Sequence, residues 1–293
     1  MSKVYKYKKI DAFTAGKSLG NPAACLYLSL GQELTEEEML EVAKQHKGYV
    51  SEMVYCKKDP DTIHLTYYSS ECEVDFCGHG TIACTYSLIK DTPDLLAQKE
   101  IQIQTNRKGN LVVYNRILEQ DAVLITAPVP NYLGTELTKE KIAETLDTTV
   151  DAIDGELPVD LVDAGLRTLI VPMRDLANEV SLFPDRKKLE TFCIENGIDI
   201  ILIFSSEVAK TDHIAHTRVF APKFGYLEDP ATGSGNSAFG YYMLKYQLWD
   251  GGDCCLEQGG NDRVFNDIYL SSIDGAVLFG GSATVRTDGV YYV

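Results

Sequence analysis

Two widely separated stretches of this chain repeat one pattern, and the repeat constrains the fold more than any other feature. Cys77-Gly78-His79-Gly80 opens an apolar run from Thr81 to Lys90, and Thr232-Gly233-Ser234-Gly235 opens another from Asn236 to Lys245. Laid over each other without a gap, Ala83 falls on Ala238, Tyr86 on Tyr241 and Lys90 on Lys245. An aspartate, Asp75 or Asp229, stands just upstream each time. Both runs are apolar almost all round, which predicts two buried helices, each the centre of its own domain.

The elements that precede the motifs recur in the same order. In the first half Thr35 and Glu38 form a capping box, Met39, Leu40 and Ala43 make one apolar helix face, and Gly48 ends the helix. Strands are expected at about Tyr49–Cys56 and Ile63–Tyr68. In the second half Asp185 caps a helix with Leu189, Phe192 and Cys193 inward, Gly197 ends it, and the apolar run Ile198–Phe204 and a strand at His216–Ala221 follow. Lys9–Leu28, broken at Gly20, pairs with Leu161–Met173, broken at Gly165. After each central helix the chain reads as hairpins: Ile101–Thr105 with Leu111–Tyr114, then Val264–Leu270, Ala276–Phe279 and Ala283–Arg286. The expected fold is α+β: two pseudo-symmetric domains, each a curved, mostly antiparallel sheet wrapped around a central helix. The boundary is expected near residue 118, ahead of the strand Ala122–Thr126, giving domains 1–118 and 119–293.

Charge narrows the partners. The 293 residues carry 27 Lys and Arg against 43 Asp and Glu, a formal charge of −16, whereas binding to phosphate backbones or anionic lipid calls for clustered basic side chains. Neither nucleic acid nor membrane is expected as a partner. No apolar run approaches the roughly 20 residues of a spanning helix. Met1–Ile10 alternates Lys and Tyr with no apolar core of a signal peptide, so a cytoplasmic protein is expected. The eight cysteines are scattered, mostly in apolar stretches, and their spacing does not match structural zinc ligands, so most are expected as buried free thiols.

The helix starts suggest the chemistry. The first N–H groups of a helix have no partner within it, glycines admit a ligand to the backbone, and the helix dipole favours a negative group there. If a pseudo-two-fold relates the halves, both starts can face one cleft and hold a small anion without a basic side chain. A small carboxylic acid is therefore the expected ligand.

Further motifs appear in a fixed order: Asp11-Ala12-Phe13-Thr14, Gly20-Asn21-Pro22-Ala23-Ala24, Ser51-Glu52, Asp75-Phe76-Cys77-Gly78-His79-Gly80-Thr81, Gly165-Leu166-Arg167-Thr168-Leu169 and Glu228-Asp229-Pro230-Ala231-Thr232-Gly233-Ser234. Glu257-Gln258-Gly259 and Gly280-Gly281-Ser282-Ala283 close the series. Together they resemble the phenazine-biosynthesis-like (PhzF) isomerase family, which has the diaminopimelate-epimerase-like fold. The resemblance spans about residues 9–287. It implies a cofactor-independent isomerase that shuttles a proton, usually a homodimer, with its site between two domains and no metal, flavin, pyridoxal phosphate or nucleotide. It places the general acid/base on Glu52, with His79 and Asp229 as further catalytic residues. It also places Asn21 and Ser234 against the substrate, and the helix-start argument adds Gly78, Gly80, Thr232, Gly233 and Gly235. The chain departs from the family at Gly80, where alanine is common, and after Gln258-Gly259, where Gly260–Val264 lacks the expected Arg-Pro although Arg263 is close.

Each assignment has a chemical rationale and a plainer rival. A carboxylate in an apolar strand is costly to bury, and the cost raises its pKa toward that of a useful carbon base. The plainer reading has Glu52 pointing outward on an edge strand. His79 can hydrogen-bond substrate or relay a proton, or simply pack. Asp229 can orient the ligand or His79, or only start the Asp–Pro turn. Epimerases of this fold place a cysteine at each helix start, and a thiol there can act as base. Here the pair is Cys77 and Thr232, and a hydroxyl is too weak a base, so one carboxylate moving a proton on one face fits better than inversion by two thiols. Cys77 remains the alternative base, in an amino-acid racemase, epimerase or dehydratase. A non-catalytic protein binding a small acid on the same scaffold is the other rival. The Gly-x-Gly-x-x-Ala matches lack the preceding strand and parallel βαβ order of a dinucleotide site.

Overall fold

Alternation of apolar and polar residues, interrupted by turn glycines, yields the strands, and the two apolar runs yield the two longest helices. The computed structural model describes residues 3–59, 62–260 and 264–293, so Arg263 lies outside the described residues. The chain divides into two units, Met1–Thr126 with Gly280–Val293, and Ala127–Phe279.

In the first unit, β1 (Val4–Ala12) and β2 (Asn21–Leu28) pair antiparallel. Between them stands Gly20, whose φ is +66° and whose Cβ, if present, would lie 2.4 Å from the carbonyl oxygen of Ala12. Only glycine fits there. The helix α1 (Glu36–Gln45) starts on the Thr35–Glu38 capping box, and its Val42 and Ala43 are buried in a cluster with Tyr5, Leu26 and Met53. Then β3 (Glu52–Lys58) runs parallel to β2, and β4 (Ile63–Tyr68) returns antiparallel to β3. The two-residue β5 (Glu73–Val74) pairs with the end of β4 and leads into α2 (Gly78–Lys90). After the short α3 (Pro93–Leu96), β6 (Glu100–Thr105) lies parallel to β4, and β7 (Gly109–Arg116), α4 (Ile117–Gln120) and β8 (Ala122–Thr126) follow. The strand Ala283–Tyr292 pairs antiparallel with β1 along its whole length. Residues Gly80–Ser87 and Ile89 of α2 are all buried, as a domain-centre helix requires.

The second unit holds β9 (Asn131–Tyr132), α5 (Lys139–Thr145), β10 (Asp160–Asp163), β11 (Arg167–Pro172), α6 (Leu176–Ser181) and α7 (Arg186–Glu195). It continues with β12 (Ile200–Ser205), β13 (Ala215–Phe220), β14 (Glu228–Asp229), α8 (Gly233–Lys245), β15 (Cys254–Gln258) and β16 (Asn266–Ile273). Asp185 caps α7, whose Leu189, Phe192 and Cys193 join the core. All of α8 from Gly235 to Met243 is buried.

The repeat extends to the hydrogen-bonding pattern. Along β1-β2-β3-β4-β6-β7 the pairings run antiparallel, parallel, antiparallel, parallel, antiparallel. The same sequence holds along β10-β11-β12-β13-β15-β16. Registers then give exact counterparts. Met53 faces Tyr68 as Ile201 faces Phe220, so Ile200 occupies the position of Glu52. Tyr67 faces Val74 as Val219 faces Asp229, so the counterpart of Asp229 is Val74 and not Asp75, the next aspartate in the sequence.

The division differs from a single boundary near residue 118. The first unit runs on through β8, and Gly280–Val293 return to it because the last strand completes the sheet beside β1. Among the described residues no helix is long and apolar enough to cross a membrane.

Candidate active site

The first unit gathers three reactive side chains at the start of α2. Glu52 is the first residue of β3, which has β2 on one side and β4 on the other, so it does not sit on an edge strand. Its neighbour across the parallel pair is Ala23, two residues beyond the buried Asn21. The four residues after it, Met53–Cys56, are buried, which drags the carboxylate toward the interior and leaves its side chain 24% exposed. Burial pushes the Glu52 carboxyl up to about 7, with a contact from the Cys77 thiol pulling the other way.

Cys77 is the N-cap of α2. Its Sγ accepts the N–H of Gly80 at 3.3 Å, the place a serine or aspartate oxygen often fills. Gly80 makes room for it: a Cβ there would lie 2.9 Å from that sulfur and 2.8 Å from Val54 Cγ2. His79, two residues along in the first turn, sets Nε2 at 3.3 Å from Glu52 Oε2, and the Cys77 sulfur lies 3.9 Å from the same oxygen. The two ring nitrogens are 3.6 and 3.8 Å from the sulfur. Glu52, Cys77 and His79, with Gly78 and Gly80 beside them, therefore form one cluster.

At the start of α8 the fold is the same and the chemistry is not. The residues at the Glu52, Cys77 and His79 positions are Ile200, Thr232 and Ser234. Thr232 makes no side-chain cap bond to the helix. Gln258, fully buried, holds it instead: its Oε1 accepts from Thr232 N at 2.9 Å and from Asn236 Nδ2 at 2.6 Å. Its Nε2 donates to Asp229 O at 2.9 Å and to Thr232 Oγ1 at 3.2 Å. The Thr232 hydroxyl is thus bound in a buried amide network and is no counterpart to a thiol base. Asp229 Oδ1 accepts from Ala231 N at 3.3 Å, which shapes the turn into the helix. Gly233 lies where a Cβ would collide with the Phe279 ring at 2.3 Å, and the half-buried Ser234 and buried Gly235 follow it in the first turn.

Each two-residue strand before a motif is pinned by a carboxylate–guanidinium pair whose carboxylate stands at the same repeat position. Glu73 binds Arg107 at 2.6 Å, and Glu228 takes both arms of Arg218 at 2.9 and 2.8 Å. Arg218 is 1% exposed and also donates to the carbonyls of Glu179 and Leu182. Sequence reasoning passed over Arg218, whose signal is a lone charge inside the otherwise buried strand Ala215–Phe220. Gln258, the last residue of β15, is a strut in the same way. Arg167 of the Gly165-Leu166-Arg167 motif is likewise engaged, with Asp199, at 3.2 and 3.1 Å.

The family described as phenazine biosynthesis-like protein matches residues 10–286 of this sequence. The chain belongs to the PhzF family. The relatives of this PhzF-family protein include the uncharacterized isomerase YfhB of Bacillus subtilis, 29% identical over 86% of this chain and 85% of the relative. Another is the uncharacterized isomerase YddE of Escherichia coli K12, 23% identical over 82% and 79%. The crystal structure of a PhzF-family phenazine biosynthesis protein from Bacillus anthracis superposes with a TM-score of 0.84 at 24% identity, covering 99% of this chain and all of that one. A hydroxyproline epimerase from Agrobacterium vitis shares the fold more distantly, at a TM-score of 0.55 and 12% identity over 99% and 93% of the chains. The PhzF-family protein is accordingly an isomerase with the epimerase-like α+β fold.

Proposed function

We propose that this PhzF-family isomerase moves a proton, and with it a double bond, on a small carboxylic acid, and that Glu52 carries the proton. One observation supports this above the others: a carboxyl group tuned to about 7 by burial stands in hydrogen-bond reach of an imidazole at the start of a buried helix. As carboxylate, Glu52 takes a proton from carbon; as carboxylic acid, it returns the proton to a second carbon on the same face. His79 orients the carboxylate through Nε2 and steadies charge that develops beside it. Asn21, Gly78 and Gly80 belong to the same proposed substrate site.

The assignments in the second unit belong to the same proposal. Asp229, Thr232, Gly233, Ser234 and Gly235 form the corresponding helix start of the second unit, whose first N–H groups suit a carboxylate. The unequal repeat favours this one-carboxylate scheme over two-thiol inversion, since Thr232 stands at the position of Cys77 and its hydroxyl is bonded by Gln258. The reading is tested by incubating the protein in D2O with a panel of aromatic and aliphatic amino acids and unsaturated acids. Deuterium should enter carbon for at least one acid and should not do so with Glu52→Gln. Exchange lost in Cys77→Ser and kept in Glu52→Gln would move the chemistry to the thiol. Tight binding without exchange across the panel would make this a binding protein.

A further inference from the structure

We propose that the surface groove of the first unit, between β3, β4 and the start of α1, is a docking site for a short amphipathic helix supplied by a partner protein. The internal repeat argues for both the groove and its occupant. Sheet register sets Tyr55, Lys57, His64 and Thr66 at the positions of Ile203, Ser205, His216 and Arg218 in the second unit. There α6 lies against β12 and β13, Val180 and Leu182 are buried, and Glu179 Oε1 stands 3.0 Å from His216 Nδ1. Ser205 and His216 are fully buried beneath it. In the first unit residues 29–35 run from β2 to α1 through turns without a helix, where residues 173–185 hold α6. The same face is left as a groove of about 350 Å³, lined by Leu28, Leu34, Met39, Tyr55, Lys57 and His64. The Lys57 and His64 side chains are 36% and 39% exposed, against 0% for His216.

The chemistry of the occupant follows from α6. Leu176, Glu179 and Val180 fall at i, i+3 and i+4, on one face of that helix. A partner helix of this pattern lays its apolar side chains on Leu28, Leu34, Met39 and Tyr55, the usual form of helix-in-groove recognition. It brings its carboxylate to His64, the counterpart of His216. Thr66 supplies no guanidinium where the second unit has Arg218, but Lys57 places an ammonium where that unit has Ser205. Both basic groups are loosely engaged at the surface. Lys57 Nζ is 3.8 Å from Glu33 Oε1, whose side chain is 82% exposed, and His64 Nε2 is 3.4 Å from Asp59 Oδ2. Such exposed pairs are worth little, so a carboxylate carried in on a docked helix replaces them at small cost. The proposal stands whether or not Glu52 moves a proton.

The test uses a fluorescein-labelled synthetic peptide of residues 174–183 as the probe. A lactam between Ala177→Glu and Ser181→Lys, two positions exposed in α6, holds the peptide helical and spares it the cost of ordering. Anisotropy with the full chain should show saturable binding below about 1 mM. With a benzophenone in place of the Leu176 side chain, light should attach the peptide within residues 28–66. Lys57→Glu in the protein and Glu179→Lys in the peptide should each weaken binding by about tenfold, and the two together should recover most of the loss. Circular dichroism of Lys57→Glu checks its fold, and the peptide variant tests the same contact on the unmodified chain. No saturable binding, attachment within the second unit, or equal affinity of the Glu179→Lys peptide each overturns the proposal. So does self-association of the unmodified chain that Lys57→Glu abolishes, since a second copy then covers the groove.

Discussion

The imidazole of His79 meets the carboxylate of Glu52 with Nε2 3.3 Å from Oε2, although the two residues come from different elements, the start of a strand and the first turn of a helix. The contact depends on β3 lying inside the sheet, where its first residue reaches the end of the central helix. A carboxylate so placed has lost much of its water and gained the imidazole and the Cys77 thiol as partners.

Glu52→Gln should remove turnover while leaving the fold intact. Loss of a positioned acid/base costs about 10²–10⁴-fold in rate. His79→Asn should cost less, since it removes the partner and keeps the base. Deuterium incorporation into whichever acid the unmodified protein exchanges measures both, and equal activity of Glu52→Gln would end the proposed role.

The pH dependence has a definite sign. The Glu52 carboxyl is raised to about 7 by burial, so kcat/KM should rise with pH through about 7 as the carboxylate forms. Stability should move the opposite way. Between about 4.5 and 7 the folded state keeps a proton that the unfolded state has released, so this group's contribution falls as pH rises. At pH 8, Glu52→Gln should be more stable than the unmodified chain by about 3 kcal/mol, and at pH 4 no more stable. Urea denaturation at the two pH values checks both statements.

Gln258 ties two buried donors and two acceptors around Thr232. Gln258→Leu keeps the volume and strands those groups, and buried unsatisfied groups cost about 1–3 kcal/mol each. A loss of about 3 kcal/mol is expected in chemical denaturation. A loss below half a kcal/mol would show that water replaces the amide.

Arg218→Met should be among the most damaging single changes in the second unit. It leaves Glu228 without its guanidinium, and breaking a buried pair by removing one partner costs about 3–5 kcal/mol. Adding Glu228→Gln should recover part of that loss. A double-mutant cycle gives the coupling, and strict additivity would show that the pair does not act as a unit.

Much of the architecture was readable because local rules decide it. Ile63–Tyr68 and Ala122–Thr126 alternate or run apolar between turn residues, and both are strands with those bounds. The capping residues Thr35 and Asp185 mark helix starts by their own hydrogen bonds. The first strand after α1 was harder: Tyr49 and Val50 are apolar enough to extend it, but they belong to the turn after α1, and the strand begins at Glu52. The helix Lys139–Thr145 was missed because its few apolar positions, Ile142 and Ala143, hardly show a period. Cys77 and His79 are sequence neighbours, but their approach to Glu52 comes from sheet register, which no short window contains. The partner of the last strand is hidden for the same reason, since alternation marks Ala283–Arg286 as extended without naming β1.

That pairing of residues near 290 with residues near 5 has a kinetic cost. While the protein is being synthesised, β1 waits with one flank open until the final strand leaves the ribosome, whereas Ala127–Phe279 can already have collapsed on itself. The earlier-made unit is thus the later to finish. Its assembly must close a loop of most of the chain, a non-local contact of the kind that slows folding.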